Sequence, residues 1–199
     1  VQFAAVLFFV VFLTACSSGG GGGSDESDIP TTAVSGTVTM PDSSPMDVRE
    51  IEIEVLEDAV GANAEGGFTI EVPEDRMVDA TIMLPQREGD TMPTVYLSTT
   101  LLPGETGIEI SKRETAVSLL MNGISHDYLI RAGTPQAVKQ VIRENGQAFI
   151  KPFKRQIEAD PYVLRVENLD NVYDQTYINA VLACKTALEN LMPADGSGV

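Results

Sequence analysis

The stretch Gly66-Gly67-Phe68-Thr69-Ile70-Glu71-Val72-Pro73 decides the fold class of this chain. Two glycines supply a turn, apolar and polar side chains then alternate, and a proline ends the run. Alternation with period two puts Phe68, Ile70 and Val72 on one face and Thr69 and Glu71 on the other, a strand with one buried and one wet face. The pattern extends in both directions. Residues 34–40 form a strand stopped by Pro41-Asp42, Ile51-Glu52-Ile53-Glu54-Val55 alternates apolar with acidic, and residues 78–84 run up to Pro85. Residues 94–97 and 107–110 complete the set. Six short strands at a spacing of about 10–15 residues predict an antiparallel β-sandwich over residues 31–110.

After residue 110 the apolar period changes from two to about 3.6, and residues 111–193 read as a separate small α-helical bundle. A short buried helix is expected over residues 114–121. Thr134-Pro135 is an N-cap with proline at the first helical position. Ala137, Val138, Val141 and Ile142 then form one stripe, with Lys139, Gln140, Arg143 and Glu144 toward water, until Asn145-Gly146 stops the helix. Residues 148–159 continue as a helix with Pro152 in its first turn, and Asp160-Pro161 caps and starts another. The last helix spans residues 172–192, with Tyr173, Tyr177, Val181, Cys184, Leu188 and Met192 (or Leu191) along one face. The predicted fold class is therefore α+β: an antiparallel sandwich, then helices packed on themselves or against the sandwich.

Charge divides at the same place. The chain has 199 residues, 29 acids against 13 Lys and Arg, one His, two Cys and no Trp, and a formal net charge of −16. Residues 25–110 hold nineteen acids and only Arg49, Arg76 and Arg87, whereas residues 111–199 hold ten of each sign. An acidic balance of this size argues against a nucleic-acid partner, which needs clustered cations for phosphate, and against a basic face docked on anionic lipid. Two cysteines exclude a disulfide scaffold and one His excludes multi-His metal sites. The acidic half should stay soluble and stand off an anionic membrane, leaving the neutral helical half as the expected place for a protein partner.

The sequence 33–110 resembles the carboxypeptidase regulatory-like (transthyretin-like) sandwich. The likeness rests on Ser35-Gly36-Thr37-Val38 as first strand and on Ala64-Glu65-Gly66-Gly67-Phe68-Thr69-Ile70-Glu71-Val72-Pro73 as turn and strand. It implies a sandwich whose Phe fills the core, and a structural or binding module attached to something else. The front of the chain carries a second resemblance. Residues 1–15 (VQFAAVLFFVVFLTA) are apolar but too short to cross a bilayer, and fit an export signal whose first few residues are missing. Leu13-Thr14-Ala15-Cys16 resembles the lipobox of bacterial lipoproteins. This implies cleavage between Ala15 and Cys16, with diacylglycerol on the sulfur and an acyl chain on the new amino group, a lipid partner for Cys16. Ser17 in place of Asp after the cysteine implies the outer rather than the inner membrane. Residues 16–30 hold five consecutive glycines with Ser and acids and read as a flexible tether. The tether also resembles those of surface-displayed neisserial lipoproteins, which implies a cell-surface or periplasmic address. Residues 194–199 (ADGSGV) read as a tail or as the start of a further linker.

No residue is assigned a catalytic role, and no cofactor is expected. Ser125-His126-Asp127 has triad residue types, but consecutive side chains diverge, and the stretch reads as a polar loop capping residues 128–130. Cys184 reads as a small buried member of the last helix stripe. The acids Glu50/Glu52/Glu54/Glu57/Asp58 and Glu71/Glu74/Asp75/Asp79 lack calcium-loop spacing and read as solvated faces, Glu50, Glu52 and Glu54 along a strand edge; Asp170 and Asp174 are weak Ca²⁺ candidates. Tyr96, Tyr128, Tyr162, Tyr173 and Tyr177 are scattered, a poor carbohydrate platform without Trp. The expected function is a lipid-anchored, non-enzymatic binding or structural module of the bacterial envelope. The alternatives are the N-terminal part of a larger envelope enzyme or transport component, and an adhesion or ligand-capture protein at the surface.

Overall fold

A computed structural model describes residues 30–86 and 92–192. The expected signal peptide, the lipobox with Ala15 and Cys16, nearly all of the tether and residues 194–199 lie outside the described residues. Within them, strands come first and helices last, an α+β arrangement. The strands are β1 (Thr31–Thr39), β2 (Glu52–Val55), β3 (Asp58–Gly61), β4 (Gly67–Pro73), β5 (Val78–Leu84), β6 (Thr94–Leu101) and β7 (Gly107–Ser111). The predicted alternation is visible in burial: Phe68, Ile70 and Val72 of β4 are buried while Thr69 and Glu71 are exposed, and Ile53 and Val55 of β2 are buried between Glu52 and Glu54. Gly66 has φ +81° and a β-carbon there would stand 2.5 Å from the Val38 carbonyl oxygen, so the turn into β4 requires glycine. Gly36 on β1 is fixed by packing: a β-carbon would stand 2.3 Å from Cζ of Phe68.

The strands form two sheets, β4-β1-β7 and β3-β2-β5-β6. Three details depart from the sequence reading. β1 and β7 pair in parallel, so the strand part is not wholly antiparallel. β3 is an additional strand, paired with β2 across a two-residue turn. Its four residues DAVG are mostly exposed and carry no apolar alternation, which hid it. Its presence also puts β2 inside its sheet: Glu52 and Glu54 face solvent, but not from an edge strand. β6 runs on through Ser98, Thr99 and Thr100, polar residues that are nonetheless buried.

The reason lies in α1 (Lys112–Asn122), which follows β7 with no linker: Ser111 ends the strand, and its hydroxyl accepts from the Glu114 N–H as the N-cap. Thr115 and Ser118 of α1 lie against the open edge of β6. The Ser98 N–H donates to Thr115 Oγ1 (3.0 Å) and the Thr100 N–H to Ser118 Oγ (2.7 Å), while Thr115 Oγ1 donates toward the carbonyls of Ser98 and Ser111. The helix hydroxyls satisfy edge groups that would otherwise be open to another strand. Ala116, Val117, Leu120 and Met121 on the same helix are essentially inaccessible. One cluster of buried side chains accordingly runs from both sheets through α1 into the later helices. The boundary near residue 111 is a change of secondary structure beside a shared core, and of the two packings expected for the helices the one against the strand part is present.

The remaining helices are α2 (His126–Arg131), α3 (Pro135–Asn145), α4 (Gln147–Ala159), α5 (Leu169–Val172) and α6 (Gln175–Glu189). Thr134 caps α3 by accepting from Ala137 N–H, with Pro135 opening the helix as expected. The sides of α3 differ from expectation. Ala137 is exposed, and Lys139, placed toward water by the stripe, is 4% exposed and bonds both oxygens of Glu105 at 2.7 and 2.8 Å. Arg143 likewise turns inward and grips the buried Glu114 carboxylate at 2.8 and 3.1 Å. α4 begins early enough that Pro152 is its sixth residue, past the first turn. Asp160-Pro161 starts only a turn, with Asp160 accepting from Tyr162 N–H. The long last helix is broken at Tyr173, where Asp174 caps α6 by accepting from the N–H groups of Thr176 and Tyr177.

Candidate functional site

The feature best built to hold a ligand is a groove of about 300 Å³ between the second sheet and the segment that connects α4 to α6. β5 supplies its floor through Asp79 and Thr81, the side chains that alternation turns away from the core, and β6 adds Val95. Leu119 and Asn122 at the end of α1 form one wall. The other wall is the segment 164–173, turns and the short α5, whose Leu164, Val166, Leu169 and Tyr173 project apolar surface. Met92, Val166 and Tyr173 remain 55, 63 and 42% exposed. Large apolar side chains gathered at a concave surface with a few polar groups are the ordinary composition of a binding site.

Asp79 is the one charged residue in the lining. Its Oδ1 accepts from the Thr100 hydroxyl at 2.5 Å, and its Oδ2 lies 3.4 Å from the Asn122 amide, so the carboxylate is oriented but keeps acceptor capacity. Tyr173 is held by an edge-to-face contact with Tyr177 (centroids 4.9 Å apart), Tyr177 by a second with Phe149 (5.3 Å), and Phe149 stacks on Phe153 (5.4 Å). The Tyr177 hydroxyl donates to the Leu119 carbonyl at 2.9 Å, tying this aromatic series to the α1 wall. Burial raises the Tyr173 phenol and pushes Tyr177 up to about 12, so both are neutral hydrogen-bond donors at neutral pH.

The sequence candidates fall elsewhere. Ser125, His126 and Asp127 form the start of α2, not a loop; Ser125 makes no side-chain cap bond, and His126 Nε2 is buried without a hydrogen-bond partner. Cys184 is fully buried, its thiol directed at the Ile142 carbonyl at 3.8 Å and pushed up to about 11 by desolvation. Burial at that level leaves almost no thiolate at neutral pH. Asp174 is occupied as the α6 cap and Asp170 stands in the first turn of α5. Among the described residues no group of three or more His, Cys, Asp and Glu side chains could hold a metal ion, and no helix is long and apolar enough to cross a membrane. Of the tyrosines, Tyr96 is fully buried, its hydroxyl beside Ser44 without completing a hydrogen bond, and only Tyr173 and Tyr177 come together.

The groove was missed because its far wall has no period. Leu164, Val166 and Leu169 fit neither a strand nor a helix stripe, and the signal that could have found them is this absence: apolar residues in a stretch that forms no long regular element. A second feature, a concavity lined by Lys112, Lys151, Lys154, Arg155 and Glu158, was also overlooked, although the i, i+3, i+4 spacing on α4 is legible. No family model matches the chain, no curated protein matches it, and no solved structure matches it.

Proposed function

We propose that this protein is a lipid-anchored bacterial envelope protein whose folded part is a non-enzymatic binding module. Its two sheets are read as a sandwich of the carboxypeptidase regulatory-like kind fused to a helical layer. Acylation at Cys16 and the tether of residues 16–30 would hold the module at the outer membrane. The groove is its binding surface, and the observation that carries the reading is the convergence of Met92, Val166 and Tyr173, three exposed large apolar side chains, on one concave site. The occupant that fits is an extended apolar polypeptide segment carrying one cationic or hydroxyl donor, because Asp79 is the single charge in a mostly apolar lining with a few neutral polar groups. Among the described residues, six of the eight exposed large apolar side chains lie after residue 110, which supports a partner seated against the helical side.

Two measurements test the two parts. Cys16→Ala, or globomycin treatment, should block maturation and release the protein from membranes; unchanged processing and fractionation would remove the anchor. A photo-crosslinking side chain at Val166 in the full chain should give a discrete adduct in intact envelopes, and one at exposed Glu65 should not. Equal adducts at both positions, or loss of none with Asp79→Asn and Val166→Asp, would remove the groove as the binding surface.

A further inference from the structure

The charges of this protein are not left idle at random. Acids outnumber Lys and Arg by 29 to 13, so a cation at the surface has carboxylates to choose from. Most of the described cations take one. Arg49 pairs with Asp47, Arg76 with Asp75, Lys112 with Glu158, Lys139 with Glu105, Arg143 with Glu114 and Arg165 with Glu167; Arg113 stands 4.0 Å from Glu114, and Lys185 lies over the Tyr128 ring. Among the described residues, four cations have no such partner: Arg131, Lys151, Lys154 and Arg155. Arg131 closes α2, where the helix C-terminus accounts for a cation. The other three share one face of α4 at i, i+3 and i+4 and line the concavity of about 360 Å³ completed by Lys112 and Glu158.

Like charges at that spacing oppose helix formation, and nothing within the described fold compensates them. The one carboxylate at hand is committed elsewhere. Glu158, four residues after Lys154, is bound by Lys112 and accepts from the Ser43 N–H at 3.1 Å, while the Ser43 hydroxyl donates to the Glu158 carbonyl at 2.6 Å. These bonds tie Glu158 to Lys112 and Ser43, and its carboxyl is accordingly held below the ordinary range by them.

We infer that Lys151, Lys154 and Arg155 form a binding site for a multiply charged phosphate, with Lys112 at its margin. An ammonium is a compact partner for phosphate oxygens and a guanidinium can grip two at once, so the trio suits clustered phosphate charge better than a single carboxylate. The site is separate from the groove and stands or falls without it. The phosphate could be free or could belong to a lipid headgroup, and the two sources separate experimentally. Tripolyphosphate titrated into the full chain by calorimetry should bind, and Lys151→Gln/Arg155→Gln should weaken it by about tenfold or more, two charge-assisted contacts being lost. Arg131→Gln removes an equally unpaired charge outside the concavity and should leave the affinity unchanged. Vesicles containing cardiolipin, which carries two phosphates per headgroup, against neutral phosphatidylcholine, form the second arm. Loss of vesicle binding in the double variant assigns the headgroup, and loss confined to tripolyphosphate assigns a free phosphate. Citrate binding as tightly as tripolyphosphate, equal weakening by Arg131→Gln, or an affinity untouched in the double variant with an unchanged melting profile would overturn the site.

Discussion

The strand half and the helical half handle charge in opposite ways. On the strands, acids stand on the outward faces, as Glu52, Glu54 and Glu71 do, over inward faces that are apolar on β2 and β4. In the helices, cations reach inward or across. Lys139 of α3 enters the turn before β7 to meet Glu105, Arg143 meets Glu114 at the start of α1, and Lys112 joins Glu158 of α4. The outward strand acids thus add to the net charge without entering the core, whereas the helical cations are drawn into pairs. The helices and the strand part share an apolar core; of these pairs only Lys139–Glu105 spans the two, and the pairs differ sharply in burial. Lys139–Glu105 is almost wholly enclosed at 5 and 7% exposure, whereas Lys112–Glu158 remains about one-third open at 33 and 31%.

The strongest way to break this contrast is at Lys139. Glu105 accepts two bonds from Lys139 and one from the Leu102 N–H at 2.8 Å. Lys139→Met leaves that carboxylate enclosed and unpaired, and should cost about 3–5 kcal/mol in urea denaturation. Adding Glu105→Gln should recover much of the loss, since the amide oxygen still accepts from Leu102 and carries no charge. A Lys139→Met variant as stable as the parent would show that the pair is dispensable to the joining of the two halves.

These pairs also explain what was legible in the sequence. The strands with clean alternation, β2, β4 and β5, could be read because each sees one core face and one solvent face. α3 could be located from Thr134 and Pro135, but its sides could not be assigned, because the partner that buries Lys139 sits thirty-four residues away in a turn. The second half of β6 escaped for the same reason: Ser98 and Thr100 look exposed until Thr115 and Ser118 supply hydroxyls to their backbone. Stripe positions Tyr177, Cys184 and Leu188 were readable on α6, yet the break at Tyr173 depends on the Asp174 cap, which an apolar stripe does not reveal. Local periodicity shows which side chains prefer burial. It does not show where polar groups find a distant partner, and the candidate groove is built from segments that only the fold brings together.

The strand half can be broken by shape alone, with a smaller effect. Gly36→Ala drives a methyl into the Phe68 ring, and should cost about 1–3 kcal/mol. The two shortest approaches are to the end of that ring, with Ile108 Cγ1 next at 2.8 Å, so Phe68→Leu in the same chain should make the alanine cheaper than it is beside Phe68. Additive losses in that double variant would mean that the ring does not set the requirement at Gly36.

A smaller effect, of opposite sign, is expected in the β2–β3 turn. Leu56 has φ +54° and is 67% exposed, so a branched apolar side chain holds a left-handed conformation with little packing in return. Leu56→Gly should stabilise the protein by up to about 1 kcal/mol, part of the relief being offset by the greater freedom of glycine in the unfolded chain. A net loss of stability would show that Leu56 packs on the hairpin.

The smallest effect is expected from the open pair, and its pH dependence separates it from the enclosed one. Lys112, first, and the Ser43 N–H hold the Glu158 carboxyl below its ordinary 4.5 in the folded chain. A depressed carboxyl contributes its stability above the unfolded value and loses it as pH falls through the folded one. The difference in urea midpoint between the parent and Glu158→Gln should therefore be full at pH 7, begin to shrink below pH 4.5 and vanish once the carboxyl is protonated in both states. Salt should shrink it at pH 7 as well, because the pair is open to screening. The enclosed Lys139–Glu105 pair should show far less sensitivity to salt, and a midpoint difference for Lys139→Met that salt erases as readily as that of Glu158→Gln would abolish the contrast between the two pairs.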